Sequence, residues 1–221
     1  MNTTKKVQQY EVQDEDPTIV EEPLVTYGAL NLDRAQRYTY ADYLTWMDDQ
    51  RRELISGFIQ LMSAPLRAHQ RVSAKLFSFI NTFIEKRKGK CHIYYAPFDV
   101  RLPKDGETDD DKIYDVVQPD ICVICDLSKL DRKGCIGAPD LIVEVISPSS
   151  FDYDCKTKLN LYEKAGVREY WIVHPHLKVV FVYLLQADGE YSFDAKYEYH
   201  EKAPVHIFEG LEIDLKKLFE E

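Results

Sequence analysis

Pro139-Asp140-Leu141-Ile142-Val143-Glu144-Val145-Ile146-Ser147-Pro148 is the stretch on which the reading of this chain turns. From Leu141 to Ile146 every residue is apolar except Glu144, the pattern of a strand covered on both faces. Ser147-Pro148-Ser149-Ser150 ends that strand and opens a helix predicted over about 152 to 165, which Gly166 closes. Another apolar run, Glu169 to Val173, follows at once and reads as a further strand.

Upstream, Val116 to Cys125 reads as one strand and Cys91 to about Arg101 as another. The loop between them, from Pro103 to Lys112, is too charged for a core element. Before these, residues 69–88 place Val72, Leu76, Phe79, Ile80, Phe83 and Ile84 at spacings of three and four, which predicts an amphipathic helix stopped by Gly89. Earlier still, residues 52–62 place two short apolar runs around Ser56-Gly57, a β-hairpin signal. Thr39 is placed to cap a short helix from Tyr40 to Met47. Downstream, strands are predicted over 178–185 and about 191–199, with His174-Pro175-His176 as a turn and a short C-terminal piece. From residue 69 the order is helix, three strands, helix, strand. That αβββαβ core predicts an α/β fold, a mixed sheet flanked by helices.

A chain of 221 residues, 45% of them hydrophobic, is enough for one domain with a substantial core. The first 36 residues hold seven acids against three bases and lack periodicity; they read as an acidic extension, with the folded domain from 37 to 221. No run of about 18 apolar residues is present, so no membrane-spanning helix is expected. The N-terminal residues lack an apolar stretch suited to export, and the expected location is cytoplasmic. The net charge of −10 sits awkwardly with a phosphate-gripping surface, although basic residues gather at Arg67, Arg71, Lys75 and again at Lys86, Arg87, Lys88, Lys90. Five cysteines without framework spacing suggest reduced, mostly buried thiols. Cys122 and Cys125 match C-x-x-C but lie three apart in a strand, on opposite faces, so they are expected to pack rather than share a zinc ion.

The chemistry-bearing signal is a pair of carboxylates in apolar strands. Asp120 follows Gln118-Pro119 at the start of one, and Glu144 sits inside another. Buried carboxylates are costly unless paired, hydrogen-bonded or bound to metal. Two on neighbouring strands repel unless a cation lies between them. Mg²⁺ or Mn²⁺ suits carboxylates plus waters, and such an ion positions a phosphate, activates water and offsets charge on the leaving oxygen. The next helix adds a cation: Lys158 lies four residues after Asp154 and four before Tyr162, so the three share a helical face.

Pro119-Asp120, followed by Glu144-Val145-Ile146, resembles the PD-(D/E)XK nuclease superfamily. That superfamily normally places lysine two residues after the second carboxylate, where this chain has Ile146. Asp140 through Ser149, then Asp154, Lys158, Tyr162 and Ala165-Gly166-Val167-Arg168-Glu169-Tyr170-Trp171-Ile172-Val173, resemble the Uma-two family, described as restriction endonucleases. In that family the lysine migrates onto the following helix, here to Lys158. Residues 52–57, Arg-Glu-Leu-Ile-Ser-Gly, resemble the family's Tyr-Glu-Leu-Ile-Asp-Gly start, with Arg52 and Ser56 departing from it, and His69 also fits. The resemblance spans about 38 to 185. It implies a restriction-endonuclease-like fold and a metal-dependent endonuclease acting on DNA. Asp120 and Glu144 would hold Mg²⁺ or Mn²⁺, with Lys158 assisting; cutting both strands with one site per chain would need a homodimer or two encounters.

Competing readings stand beside each residue. Glu53 is a candidate third carboxylate near the metal or an ordinary hairpin residue. His69 is expected to cap or pack. Lys158 with Asp154 also reads as a surface ion pair. Asp140 follows a proline as Asp120 does, but at four residues from Glu144 on one strand it lies roughly 13 Å away, too far to share an ion. The acidic loop from Asp105 to Asp115 lacks the EF-hand pattern and reads as solvated. Arg67, Arg71 and Lys75 are candidate phosphate contacts. For the whole chain, the alternative to a nuclease is an inactive module of the same fold that binds a protein or nucleic acid.

Overall fold

The computed structural model describes residue 30 and residues 32–104, 106–146 and 153–220. Most of the acidic extension, Asp105, the Ser147–Ser150 turn and Asp152 lie outside them. The elements run α1 (Tyr40–Tyr43), β1 (Arg52–Ile55), β2 (Phe58–Leu61), α2 (Arg67–Arg87), β3 (His92–Tyr95), β4 (Val100–Arg101), β5 (Val116–Val117), β6 (Ile121–Ile124), β7 (Leu130–Asp131), β8 (Gly134–Ile136) and β9 (Leu141–Val145). A π-helical stretch (Tyr153–Lys158) leads into α3 (Leu159–Ala165), then β10 (Glu169–His174), β11 (Val179–Leu185), β12 (Tyr191–Glu198), β13 (Lys202–Pro204), β14 (Glu212–Asp214) and α4 (Leu215–Phe219).

The central sheet has the order β12-β11-β10-β9-β6-β3. Its β9–β10 pair is parallel and the others antiparallel, so the sheet is mixed. Read along the chain from α2, its elements are helix, β3, β6, β9, helix, β10, the expected αβββαβ core. Burial alternates with the pleat. Leu141, Val143 and Val145 face one core with Val72, Leu76 and Ile80 of α2, while Ile142 and Ile146 face another with Tyr162 of α3. The C-terminal β13–β14 hairpin and α4 add Ala203, Ile213, Leu215 and Leu218 to the α2 side.

A second sheet, β2-β1-β5-β4-β8-β7, was not legible as such. The two long strands expected over 91–101 and 116–125 are each broken, because the chain leaves one sheet for the other at Pro97 and Pro119. Proline offers no N–H to continue a ladder. β4 and β5 thus belong to the second sheet, while β3 and β6 belong to the central one. β7 and β8 were not anticipated at all.

Other boundaries move for local reasons. Thr39 does cap α1, in a reciprocal box with Asp42, but the helix ends at Tyr43 rather than Met47. Ser56 and Gly57 both take positive φ (52° and 84°), the geometry of a two-residue hairpin turn. α2 ends at Arg87, and its cap Lys88 adopts the left-handed conformation expected of Gly89.

The cysteine expectation needs correction. Cys91 and Cys125 lie directly opposite each other beyond the His92–Ile124 pair and are joined in a disulfide. Cys122 and Cys135 are buried free thiols and Cys155 is partly buried. Cys122 packs in the α3-side core and Cys125 against the α2-side core, so the C-x-x-C pair does face opposite ways. Among the described residues no helix is long and apolar enough to cross a membrane.

Candidate active site

Glu144 sits fourth in β9, on the face that Ile142 and Ile146 share with α3, and is 5% exposed. The helix that follows brings its partners. Lys158 ends the π-helical stretch and Tyr162 lies one α-turn later, so both side chains project onto one strip. Such widened turns re-aim side chains and are frequent at functional sites. The Lys158 ammonium donates to Glu144 Oε1 at 2.8 Å, and the Tyr162 hydroxyl donates to the same oxygen at 2.7 Å. The same ammonium donates to Glu53 Oε1 at 2.9 Å. Glu53 comes from β1, in the other sheet, so the cluster forms where the two sheets meet.

All three charged groups are out of solvent: Lys158 is 3% exposed and Glu53 2%. Lys158 is therefore a buried cation rather than a surface one, and Glu53 is drawn into its cluster. Burial, then the Glu144 and Glu53 charges, push the Tyr162 hydroxyl well above its ordinary range, which keeps it a donor.

A hydrogen-bonded network backs Glu53. The backbone N–H of Gln118, at the crossing from β5 to β6, donates to Glu53 Oε1 at 2.9 Å. The Gln118 side chain accepts from Arg51 and donates to Asp99 and to the Tyr43 hydroxyl. Tyr40 donates to the other Asp99 oxygen at 3.0 Å. Burial, followed by Asp99, raises the Tyr40 and Tyr43 pKa values. Gln118, Asp99, Tyr40 and Arg51 escaped sequence reasoning. The available signal was polar residues beside prolines and aromatic residues in otherwise buried segments.

Asp120 is placed differently. The β6–β9 register pairs Ile121 with Val143, so Asp120 falls level with Glu144. Its Oδ2 accepts from the Val145 N–H at 2.7 Å and lies 3.0 Å from His69 Nε2. His69, third in α2, thus engages the aspartate, beyond the packing role expected of it, and its buried Nδ1 has no partner among the described residues.

Asp140, the rival aspartate, is tied up elsewhere. It accepts from the Cys125 N–H at 2.7 Å and from Arg168 at 2.9 Å. The structure brings Glu53, Glu144 and Lys158 together around one ammonium, with Asp120 level with Glu144 but held by its own donors. Among the described residues no group of three or more His, Cys, Asp or Glu is arranged to hold a metal ion. The donor set is nevertheless all carboxylate oxygen, which suits hard cations such as Mg²⁺ or Mn²⁺. Two carboxylates share the one Lys158 ammonium.

Two expected phosphate contacts are otherwise employed. Arg71 donates to the Glu220 carbonyl at 3.0 Å, and Lys75 to the Lys217 and Glu220 carbonyls at 2.8 and 2.6 Å. They clamp the end of α4, whose last carbonyls need donors. The acidic loop is only partly solvated: Asp110 lies 3.6 Å from the buried Arg101 and also pairs with Lys133.

Comparison with known proteins places this arrangement. A solved structure from Anabaena variabilis, described as "a putative nuclease belonging to DUF820", superposes with a TM-score of 0.64 at 22% identity, covering 82% of this chain and 97% of that one. At that identity the likeness shows a shared fold. "Uncharacterized protein slr1290" from Synechocystis is 27% identical over 155 residues, 68% of this chain and 75% of that protein. The model of the family Uma2, described as "Putative restriction endonuclease", matches residues 40–216. That match takes in the strand bearing Glu144, the helical segment bearing Lys158 and the hairpin bearing Glu53, and the chain belongs to the Uma2 restriction-endonuclease family.

Proposed function

We propose that the chain is a metal-dependent endonuclease that hydrolyses DNA phosphodiester bonds. The observation that carries this reading is the Lys158 ammonium, buried and hydrogen-bonded at 2.8 and 2.9 Å to two buried carboxylates on different sheets. A packed core gains little from such a triad, since apolar residues of similar volume are often as stable or more so.

Asp120 and Glu144 are the residues that would hold Mg²⁺ or Mn²⁺. When bound, the ion supplies Lewis-acid polarisation of a phosphoryl oxygen and a water of lowered pKa. The chain's own groups do the rest. Lys158 orients the attacking water or offsets the charge that gathers on the pentavalent phosphate. Glu53 fixes the ammonium and accepts a hydrogen bond from the water. Tyr162 holds Glu144 by donating to it, and the Val145 N–H and His69 hold Asp120. The water oxygen bonds to phosphorus, the bond to the leaving oxygen breaks, and that oxygen takes up a proton, leaving one phosphate end and one hydroxyl end. One site cuts one strand, so cutting both needs a homodimer or two encounters.

Calorimetric titration with Mn²⁺, on wild type and Glu144→Ala, tests the reading, with plasmid nicking followed in the same samples. Binding by wild type alone, with nicking that tracks the ion, is the expected result. If neither protein binds the ion and the plasmid stays intact, the nuclease reading fails and an inactive binding module takes its place.

A further inference from the structure

Arg71 and Lys75 are committed to α4, which leaves Arg67 of the expected phosphate contacts and room for a further one. We propose that the β10–β11 turn, His174-Pro175-His176-Leu177-Lys178, is a phosphate-contacting wall of the nucleic-acid groove. The proposal rests on the nuclease reading above and adds the surface that reading lacks.

Strand geometry places the turn. β9 and β10 are parallel, with Glu144 beside Ile172 and Val145 beside Val173, and the Ile146 N–H donates to the Val173 carbonyl. His174 follows directly, at the end of the sheet where Asp120 and Glu144 lie. Neighbouring strands stand about 4.8 Å apart and each residue advances about 3.3 Å, so the His174 Cα lies about 8 Å from that of Glu144. A DNA strand carries one phosphate per about 3.4 Å of axial rise, so this reach takes in phosphates next to the scissile one.

Parity and tautomer favour the same role. Tyr170 and Ile172 point to the α3-side core that Glu144 faces, and His174 shares their register. The Leu177 N–H donates to His174 Nδ1 at 3.2 Å, so Nε2 carries the proton and is a donor even in the neutral ring. Burial and His176 together lower the His174 pKa, so neutral donation is its form at pH 7. His176 and Lys178 on the same turn are exposed. Lys178 takes φ 55°, a left-handed conformation that glycine or asparagine adopts at lower cost, and its ammonium sits 4.7 Å over the Tyr199 ring. The turn thus carries a histidine donor on the face of Glu144, with Lys178 at the same end of the sheet, over Tyr199 on the α2 side.

The test is binding of a fluorescein-labelled 20-base-pair duplex, without divalent ions, over a series of KCl concentrations. The proteins are wild type, the double variant His176→Ala/Lys178→Ala, His174→Ala, and Lys86→Ala, which lies about 25 Å of helix beyond His69. Circular dichroism and Tm confirm that each is folded. The double variant is expected to bind at least tenfold more weakly at low salt. The slope of log K against log salt should drop by about 1, near 0.9 for the one cation lost, Lys178. His174→Ala should weaken binding with a smaller change of slope, and Lys86→Ala should match wild type. Wild-type affinity and slope in the double variant would overturn the proposal while leaving the nuclease reading standing. An equal slope change in Lys86→Ala would also overturn it, since net charge alone would then account for the effect. No duplex binding by wild type at any salt would sink both.

Discussion

Replacing Lys158 with methionine removes the ammonium and keeps most of the aliphatic stem. In the native protein that ammonium makes hydrogen bonds of 2.8 and 2.9 Å to Glu144 and Glu53, and all three residues are at most 5% exposed. The variant leaves two carboxylates facing each other out of water, with the Tyr162 hydroxyl and the Gln118 N–H still donating to them. Breaking a buried ion pair from one side costs about 3–5 kcal/mol. At about 2–4 °C per kcal/mol for a domain of this size, Tm should fall by about 6–20 °C. Thermal melts by circular dichroism at pH 8 measure this directly. Adding Glu53→Gln to Lys158→Met removes the like-charge contact and should recover part of the loss. A loss under about 0.5 kcal/mol, the size of an exposed ion pair, would refute the reasoning, because the triad would then be solvated.

Tyr162→Phe deletes one donor to a charged oxygen and should cost about 1.5–3 kcal/mol in urea unfolding, with nicking slowed because Glu144 is less firmly held. An unchanged midpoint would show that the hydroxyl bond contributes nothing. The Glu169 carboxyl is raised, chiefly by burial and against the Ile207, His206 and Trp171 donors, so the folded state holds its proton more tightly than the unfolded chain. Wild-type stability should therefore fall as pH rises from about 4.5 through that raised value, relative to Glu169→Gln, which lacks the titration. Parallel stability–pH curves for the two proteins would contradict this. Arg71→Ala/Lys75→Ala should lower stability by no more than about 1 kcal/mol, because water replaces the donors at the exposed α4 carbonyls, and should leave the salt slope of duplex binding unchanged. A reduced slope would return these residues to the substrate surface.

Much of the core was readable because its signals are local. The apolar run around Glu144 and the three-and-four spacing of Val72, Leu76 and Ile80 depend on near neighbours and the pleat or helix period alone. Lys158 and Tyr162 share a face for the same reason, whatever they touch. The second sheet was hidden because its strands are as short as two residues, and a Val116–Cys125 run changes sheets at Pro119 without changing composition. The partners of Glu53 and Asp120 lie 105 and 51 positions away in Lys158 and His69, beyond any window of periodicity. Arg71 and Lys75 misled because basic residues on a helix look alike whether they meet a phosphate or a helix end. The disulfide was missed because its cysteines are 34 residues apart and become neighbours only through the β3–β6 pairing.

The most direct test of the central claim is the nicking of supercoiled plasmid by wild type, Glu144→Gln and Lys158→Met, each with Mg²⁺ and with EDTA, at a temperature where all three are folded. The account predicts nicking by wild type with Mg²⁺ only, and rates at least about 100-fold lower in both variants. Equal rates in the three proteins, or nicking by wild type in EDTA, would contradict it.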